Sequence, residues 1–360
     1  MVVSYTFSSL RCFAECPQKY YMRYIQRIEK RYEDAAPLRI GTAYHRGLEL
    51  QATGHDAADA IRIVRNDYKK QIYVRQEGTN LIIDDTEKAY WLLCEMATVS
   101  QLLRGRFEFI PPHEYIECEK AFEFDFYGFS IRGKPDGIIT LPDGRTALLE
   151  IKTHNGKFDP LSKYFESLRI DQQLSHYYLM LMLLGINLDT IIYDVTSTSL
   201  PEPSHVPVTD ENGFKIVRDE AGQRQYKKDG EPYASVPSGK GGIWKLESRL
   251  ETPEEYENRL AYYINKNWHE IYVQREIPRL DSDIERYKEE LQQKLWLIDY
   301  SRKLGCFPRE TGACLKWGRL CPFFSLCEIN NTQFEPETLD ALGFQIRDSE
   351  HPELKDESNV

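Results

Sequence analysis

The stretch Leu148-Leu149-Glu150-Ile151-Lys152-Thr153 constrains the fold more than any other part of the chain. A carboxylate and an ammonium stand two residues apart inside a run of branched apolar side chains. Side chains alternate between the faces of a β-strand, so Glu150 and Lys152 share one face. Leu148, Leu149 and Ile151 predict that this strand is buried on one side or both. Charges on such a strand are costly unless they are paired or bind a cation. The chain must therefore cover a sheet on this strand and bring further polar groups to it. Upstream, Gly133-Lys134-Pro135-Asp136-Gly137 places a second carboxylate, Asp136, at a strand edge or turn.

The surrounding pattern agrees with such a sheet. Residues 115–118, 121–127, 129–132, 137–141 and 146–152 read as short strands, with Asp143-Gly144 as a hairpin turn. A helix over 167–184, ending near Gly185, and a strand over 190–196 follow. Apolar residues at helical spacing predict a helix over 4–30, capped by Ser8 or Ser9, and a helical region from 40 to about 107, closed by Pro111-Pro112. Residues 197–242, rich in Pro, Gly, Asp and Lys, read as an extended insertion or hairpin loop. The chain turns helical again over 252–303, where Thr252 and Glu255 form a candidate capping box. We see no internal repeat. The class is α/β, built on a mixed sheet.

Composition narrows the function. A net charge of -11 argues against a protein that coats nucleic acid indiscriminately. It leaves room for an acidic metal site beside a local basic groove. The longest apolar run, 177–186, is shorter than the ~20 residues a bilayer requires. No membrane association is expected, and Met1-Val2-Val3-Ser4-Tyr5 lacks the pattern of a signal peptide. The expected location is cytoplasmic. In a reducing compartment the eight cysteines point to metal binding or burial rather than disulfides. No Gly-Lys-Ser/Thr phosphate loop is present, which argues against an ATPase motor.

Asp136 and Glu150 offer hard oxygen ligands suited to Mg2+ or Mn2+. Such an ion polarises a phosphodiester and acidifies water. Lys152 can orient that water or balance charge in the transition state. Gln173 and Tyr177, four apart on the helix after the core strands, share a face. Cys314, Cys321 and Cys327, the second followed by Pro322, suit an iron–sulfur cluster or structural zinc. Cys16, in Cys16-Pro17-Gln18-Lys19-Tyr20-Tyr21, competes with Cys12 and Cys306 for the fourth position and is preferred for its flanking residues. Cys94 and Cys118 read as core residues.

Asp136 followed by Glu150-Ile151-Lys152, with Pro135 in the leading position, resembles the PD-(D/E)XK nuclease signature. Gly41-Thr42-Ala43-Tyr44-His45-Arg46-Gly47-Leu48-Glu49 resembles the G-x-x-x-H-x-x-L-E helix of RecB-type nucleases, and Gln173 with Tyr177 resembles their Q-x-x-x-Y element. The order His, Asp, Glu-x-Lys, Gln-x-x-x-Tyr is also kept. The resemblance implies a metal held by His45, Asp136, Glu150 and the Ile151 position, with Asp136, Glu150, Lys152, Gln173 and Tyr177 in the catalytic set. The cysteine pattern is similar to that of AddB-like and CRISPR-associated RecB-like nucleases, which implies a [4Fe–4S] cluster on Cys16, Cys314, Cys321 and Cys327, with Zn2+ as the rival. The compact format resembles phage-type stand-alone nucleases, which implies the cytoplasm of a bacterial cell or a phage-infected host. His154 and Asp159 receive no role.

This implies a PD-(D/E)XK, restriction-endonuclease-like core with a central mixed sheet flanked by helices, plus a stapled N/C-terminal module. The expected division is an N-terminal segment 1–35, a helical region 36–112, a nuclease core 113–200, an insertion 201–245, a second helical region 246–305, a cysteine module 306–330 and an acidic tail 331–360, its last ten or so residues disordered. The implied activity is metal-dependent DNA hydrolysis, exonucleolytic, by metal-activated water. Expected partners are single-stranded DNA or DNA ends, with recombination, repair or CRISPR proteins beside them. A non-cleaving DNA-binding or assembly protein and an iron–sulfur regulatory protein are the competing readings. Arg132, Lys134, Lys157 and Lys163 are expected around the site. Lys19, Arg23, Arg27, Lys30 and Arg31, alternating with Tyr20, Tyr21, Tyr24 and Tyr32, fit either a stacking surface or, better, a helix with its tyrosines turned inward.

Overall fold

The computed structural model describes residues 4–31, 35–76, 79–82, 86–156, 158, 163–241, 243–316, 318–329, 334–351 and 354. The chain opens with β1 (Ser4–Thr6) and α1 (Phe7–Glu15), then α2 (Ala36–Ala52), α3 (Ala57–Ile72) and α4 (Thr86–Phe109). The strands β2 (Glu114–Cys118), β3 (Phe122–Phe126), β4 (Phe129–Gly133), β5 (Gly137–Thr140) and β6 (Thr146–His154) follow. Next come α5 (Gln172–Leu183), β7 (Thr190–Ser197), α6 (Pro253–Ile271), β8 (Tyr272–Glu276) and α7 (Asp281–Leu304).

The central sheet has the order β8-β7-β6-β5-β2. Only β6 and β7 run parallel, with Ile151 opposite Asp194 and Lys152 opposite Val195. A second sheet, β1-β4-β3, lies beside it. Pleat alternation assigns the two faces of β6 to different cores. Ala147, Leu149 and Ile151 pack with Tyr44, Leu48, Leu102 and Leu103 from α2 and α4. Leu148 packs with Leu174, Leu179, Leu291 and Leu295 from α5 and α7. This is the mixed sheet flanked by helices that the β6 residues demand, because a strand apolar on both sides needs two covering layers.

Several local readings change. Residues 4–30 form not one helix but β1, α1, a short helix Pro17–Tyr20, a π-turn Tyr21–Ile25 and a strand Ile28–Lys30. Thr6, not a serine, caps α1, exchanging hydrogen bonds with Ser9. A hairpin, Tyr73–Gln76 with Thr79–Ile82, interrupts the 40–107 region. The helical run 252–303 is broken by β8, whose alternating burial fits an edge strand. The Thr252–Glu255 capping box forms as read. Tyr20 and Tyr24 are buried, so the N-terminal tyrosines turn inward; Tyr32 lies outside the described residues.

The insertion does contain a repeat. Three tight turns, bridged Thr209–Lys215, Arg218–Arg224 and Tyr226–Pro232, follow one another along this arm. Each carries a glycine at positive φ: Gly213 at 80°, Gly222 at 77° and Gly230 at 85°. Its root is closed where Glu251 N–H donates to the Ser204 carbonyl at 3.0 Å. The tail also folds back. Phe344–Ile346 pairs antiparallel with Ile28–Lys30, and His351 Nε2 lies 2.9 Å from the Ser4 carbonyl. Of the last ten residues, where disorder was expected, His351 and Leu354 are described and 352–353 and 355–360 lie outside the described residues. Among the described residues no helix is long and apolar enough to cross a membrane.

Candidate functional site

A cleft of about 470 Å³ opens where β5 begins, and His45, Glu119, Arg132, Lys134, Asp136, Lys152, Thr153 and Tyr177 are among its walls. Its geometry follows from the backbone. β5 starts at Gly137, opposite Leu149. Carried two residues further back, the ladder would set Pro135 against Ile151, and proline has no N–H to give the Ile151 carbonyl. The ladder stops there, and the Ile151 N–H donates instead to Asp136 Oδ2 at 2.5 Å. Asp136 is thereby held beside Glu150 at the open end of β6.

Helix α2 brings His45 to Asp136, with Nδ1 3.5 Å from Oδ1. Gly41, one turn earlier, permits this approach: a Cβ there would lie 2.9 Å from the Thr153 hydroxyl. Gly47 does the same on the α4 side, where a Cβ would meet Leu103 at 2.4 Å. Tyr44 anchors the helix by hydrogen-bonding Thr196 of β7 at 2.8 Å. From the other layer, Tyr177 reaches the cleft and hydrogen-bonds Gln173, which sits in the first turn of α5. Gly133 leaves room for Tyr177 and Met180.

Electrostatics divide the carboxylates. Glu150 is 1 % exposed. Burial pushes it up to about 7 against the pull of Lys152, with which it forms an ion pair. Its second oxygen is buried with no hydrogen-bond partner. Burial also opposes charge on Asp136, but His45 and Lys152 hold it below the usual carboxylate range. His45 is raised, since Asp136 outweighs the burial that disfavours its charge. Lys134 pairs with Glu119 at 3.0 Å, while Lys163 is exposed and Lys157 and Asp159 lie outside the described residues.

The residues fit a hard divalent cation. Ligand atoms of His45, Glu119 and Asp136 all lie within 4.8 Å of one another, and the orphaned Glu150 oxygen is what a buried carboxylate shows when a cation is the missing partner. Glu119 is absent from the sequence reading. It sits just beyond β2, and no motif spacing marks it.

A second cavity, of about 220 Å³, is lined by Cys16, Cys314, Cys321 and Cys327. Cys12 instead packs in the main core, and Cys306 is exposed. Cys16 caps the Pro17–Tyr20 helix, while a hairpin, Leu315–Lys316 with Arg319–Leu320, folds Cys321 N–H onto the Cys314 carbonyl at 2.8 Å. Burial, with the neighbouring cysteines, pushes Cys327 up to about 11. Four cysteines lining one cavity could supply thiolates to a thiophilic centre, and no three of their sulfurs lie within 4.8 Å of one another.

The chain matches no curated protein. Among solved structures it is similar to a protein from Eubacterium rectale designated an exonuclease, at 11 % identity and a TM-score of 0.34, over 79 % of this chain and 81 % of that one. It is also similar to SSO0001, at 14 % identity and a TM-score of 0.19, over 63 % of this chain and 89 % of that one. A family match covers residues 4–328, from β1 through the last cysteine of the second cavity. The chain belongs to the PD-(D/E)XK nuclease superfamily.

Proposed function

We propose that the protein is a metal-dependent deoxyribonuclease that hydrolyses phosphodiesters from DNA ends. The observation that carries this reading is the meeting of Asp136, His45, Lys152 and Tyr177 at one cleft beside buried Glu150. His45, Asp136, Glu150 and the Ile151 carbonyl would hold Mg2+ or Mn2+. When bound, that ion polarises the phosphodiester and acidifies a water.

The protein's own groups do the rest. Lys152 presents its ammonium at the cleft, where it orients the attacking water and balances charge growing on the phosphate. Its pairing with Glu150 fixes the ammonium before substrate arrives. Burial raises Tyr177 far above its ordinary value, so its hydroxyl stays a donor, steadied by Gln173. Arg132 and Lys134 add positive charge along the wall for the backbone of the strand. The cysteine cavity lies apart from these groups. We assign it a [4Fe–4S] cluster, with Zn2+ as the alternative, acting as a clasp between distant parts of the chain.

The test is digestion of end-labelled linear and covalently closed circular DNA with Mg2+ or Mn2+, beside Lys152→Ala. Metal-dependent loss of linear DNA alone, reduced about 100-fold or more in the variant, is the expected result. Cutting of the circle would replace exonuclease with endonuclease. No cleavage of either DNA by metal-loaded protein would favour a binding or assembly role.

A further inference from the structure

We propose that Glu119 is a further ligand of the cation, joining His45 and Asp136 from the cleft wall. The proposal rests on the metal-dependent reading above and adds a residue outside the recognised motif. Ligand atoms of the three side chains lie within 4.8 Å of one another. A divalent ion with bonds of about 2.1–2.3 Å places opposite ligands about 4.2–4.6 Å apart, so small rotations suffice to close all three on one ion. Two hard oxygens and an imidazole suit Mn2+.

Glu150 stands differently. It is almost fully buried, absent from the cleft wall, and committed through one oxygen to Lys152. Glu119, by contrast, faces the cleft. Its backbone is held in the left-handed region, φ 49°, where a non-glycine residue is uncommon. Its N–H donates to the Asp136 carbonyl at 3.2 Å, tying the two carboxylates together. A strained backbone retained beside a cleft directs attention to the side chain it aims. Lys134, 3.0 Å from Glu119, supplies a counter-charge there, as Lys152 does for Glu150. Asp136 thus stands between two glutamates, each with its own lysine.

Mn2+ binding to the full-length protein without DNA, followed by calorimetry and by the electron paramagnetic resonance of free Mn2+, tests this. Glu119→Gln should weaken Mn2+ at least tenfold while the protein melts as the parent does without metal. Lys134→Met should tighten Mn2+ in the parent and change nothing in the Glu119→Gln background. Parent-like affinity and stoichiometry in Glu119→Gln would overturn the proposal while leaving metal-dependent cleavage intact. If the parent binds no Mn2+ at millimolar concentration, this proposal and the metal reading beneath it both fall.

Discussion

Lys152 is one-third exposed, whereas its partner Glu150 is almost wholly enclosed. The pair is therefore asymmetric: removing the lysine strands a buried carboxylate. Breaking a fully buried pair costs about 3–5 kcal/mol, and the exposure of Lys152 lowers this to about 2 kcal/mol. Lys152→Met should show that loss in denaturant unfolding with chelator present, and adding Glu150→Gln should recover most of it. No recovery in the double variant would mean that the pair is not coupled. Gly47→Ala should also destabilise, by about 1–3 kcal/mol. The methyl collides with Leu103, which outweighs the better helix propensity of alanine. A variant that unfolds like the parent would show that α2 and α4 can separate without loss. The nearness of His45, Asp136, Glu150 and Lys152 was legible because strand alternation and motif spacing are linear properties. Glu119 was not: its position depends on a register shift between Tyr115 and Glu117 and on a left-handed backbone, and a glutamate signals neither.

Helices α5 and α7 meet through His176, whose Nδ1 lies 2.8 Å from the Tyr287 hydroxyl. Burial, then Lys294, pushes His176 down to about 3. The neutral form is thus favoured in the folded state, while the unfolded chain takes up a proton near pH 6.5. Its contribution is present above pH 6.5 and is lost as pH falls toward 3, amounting to about 2 kcal/mol by pH 5. His176→Asn should flatten the fall in stability between pH 7.5 and pH 5, and an unchanged fall would assign it to other groups. The arm makes a separate prediction. Because Ser204 and Glu251 already meet at its root, replacing 205–250 by two glycines should leave the melting temperature within a few degrees. A collapse of the transition would make the arm part of the core. Its repeat was written in the sequence as Asp210-Glu211-Asn212-Gly213 and Asp219-Glu220-Ala221-Gly222, where each aspartate accepts from the N–H four residues on, but so short a unit passes for ordinary loop composition. β8 escaped because five alternating residues directly after a long helix read as its continuation.

Across the whole molecule, the cavity of Cys16, Cys314, Cys321 and Cys327 joins segments almost 300 residues apart. A metal clip closing so long a loop removes chain entropy worth on the order of 5 kcal/mol. Cys16→Ser should therefore lower both bound metal and the unfolding midpoint. Equal midpoints, with equal iron or zinc per chain, would remove Cys16 from the site. The layered α/β core was legible because both faces of β6 are apolar. The tail was not: Phe344–Ile346 is stabilised by Ile28–Lys30, a partner no local pattern reveals.

That returning tail bears on birth as well as on stability. A ribosome releases this polypeptide from one end, so Cys16 and Ile28–Lys30 emerge long before Cys314 or Phe344. Throughout elongation the early segment must wait, its cysteine and strand edge open to chaperones, to oxidants and to neighbouring nascent chains. The final closure thus waits for the segments around Cys314 and Phe344 to be made, and a chain cut short before residue 314 would leave Cys16 and the Ile28–Lys30 strand without these partners.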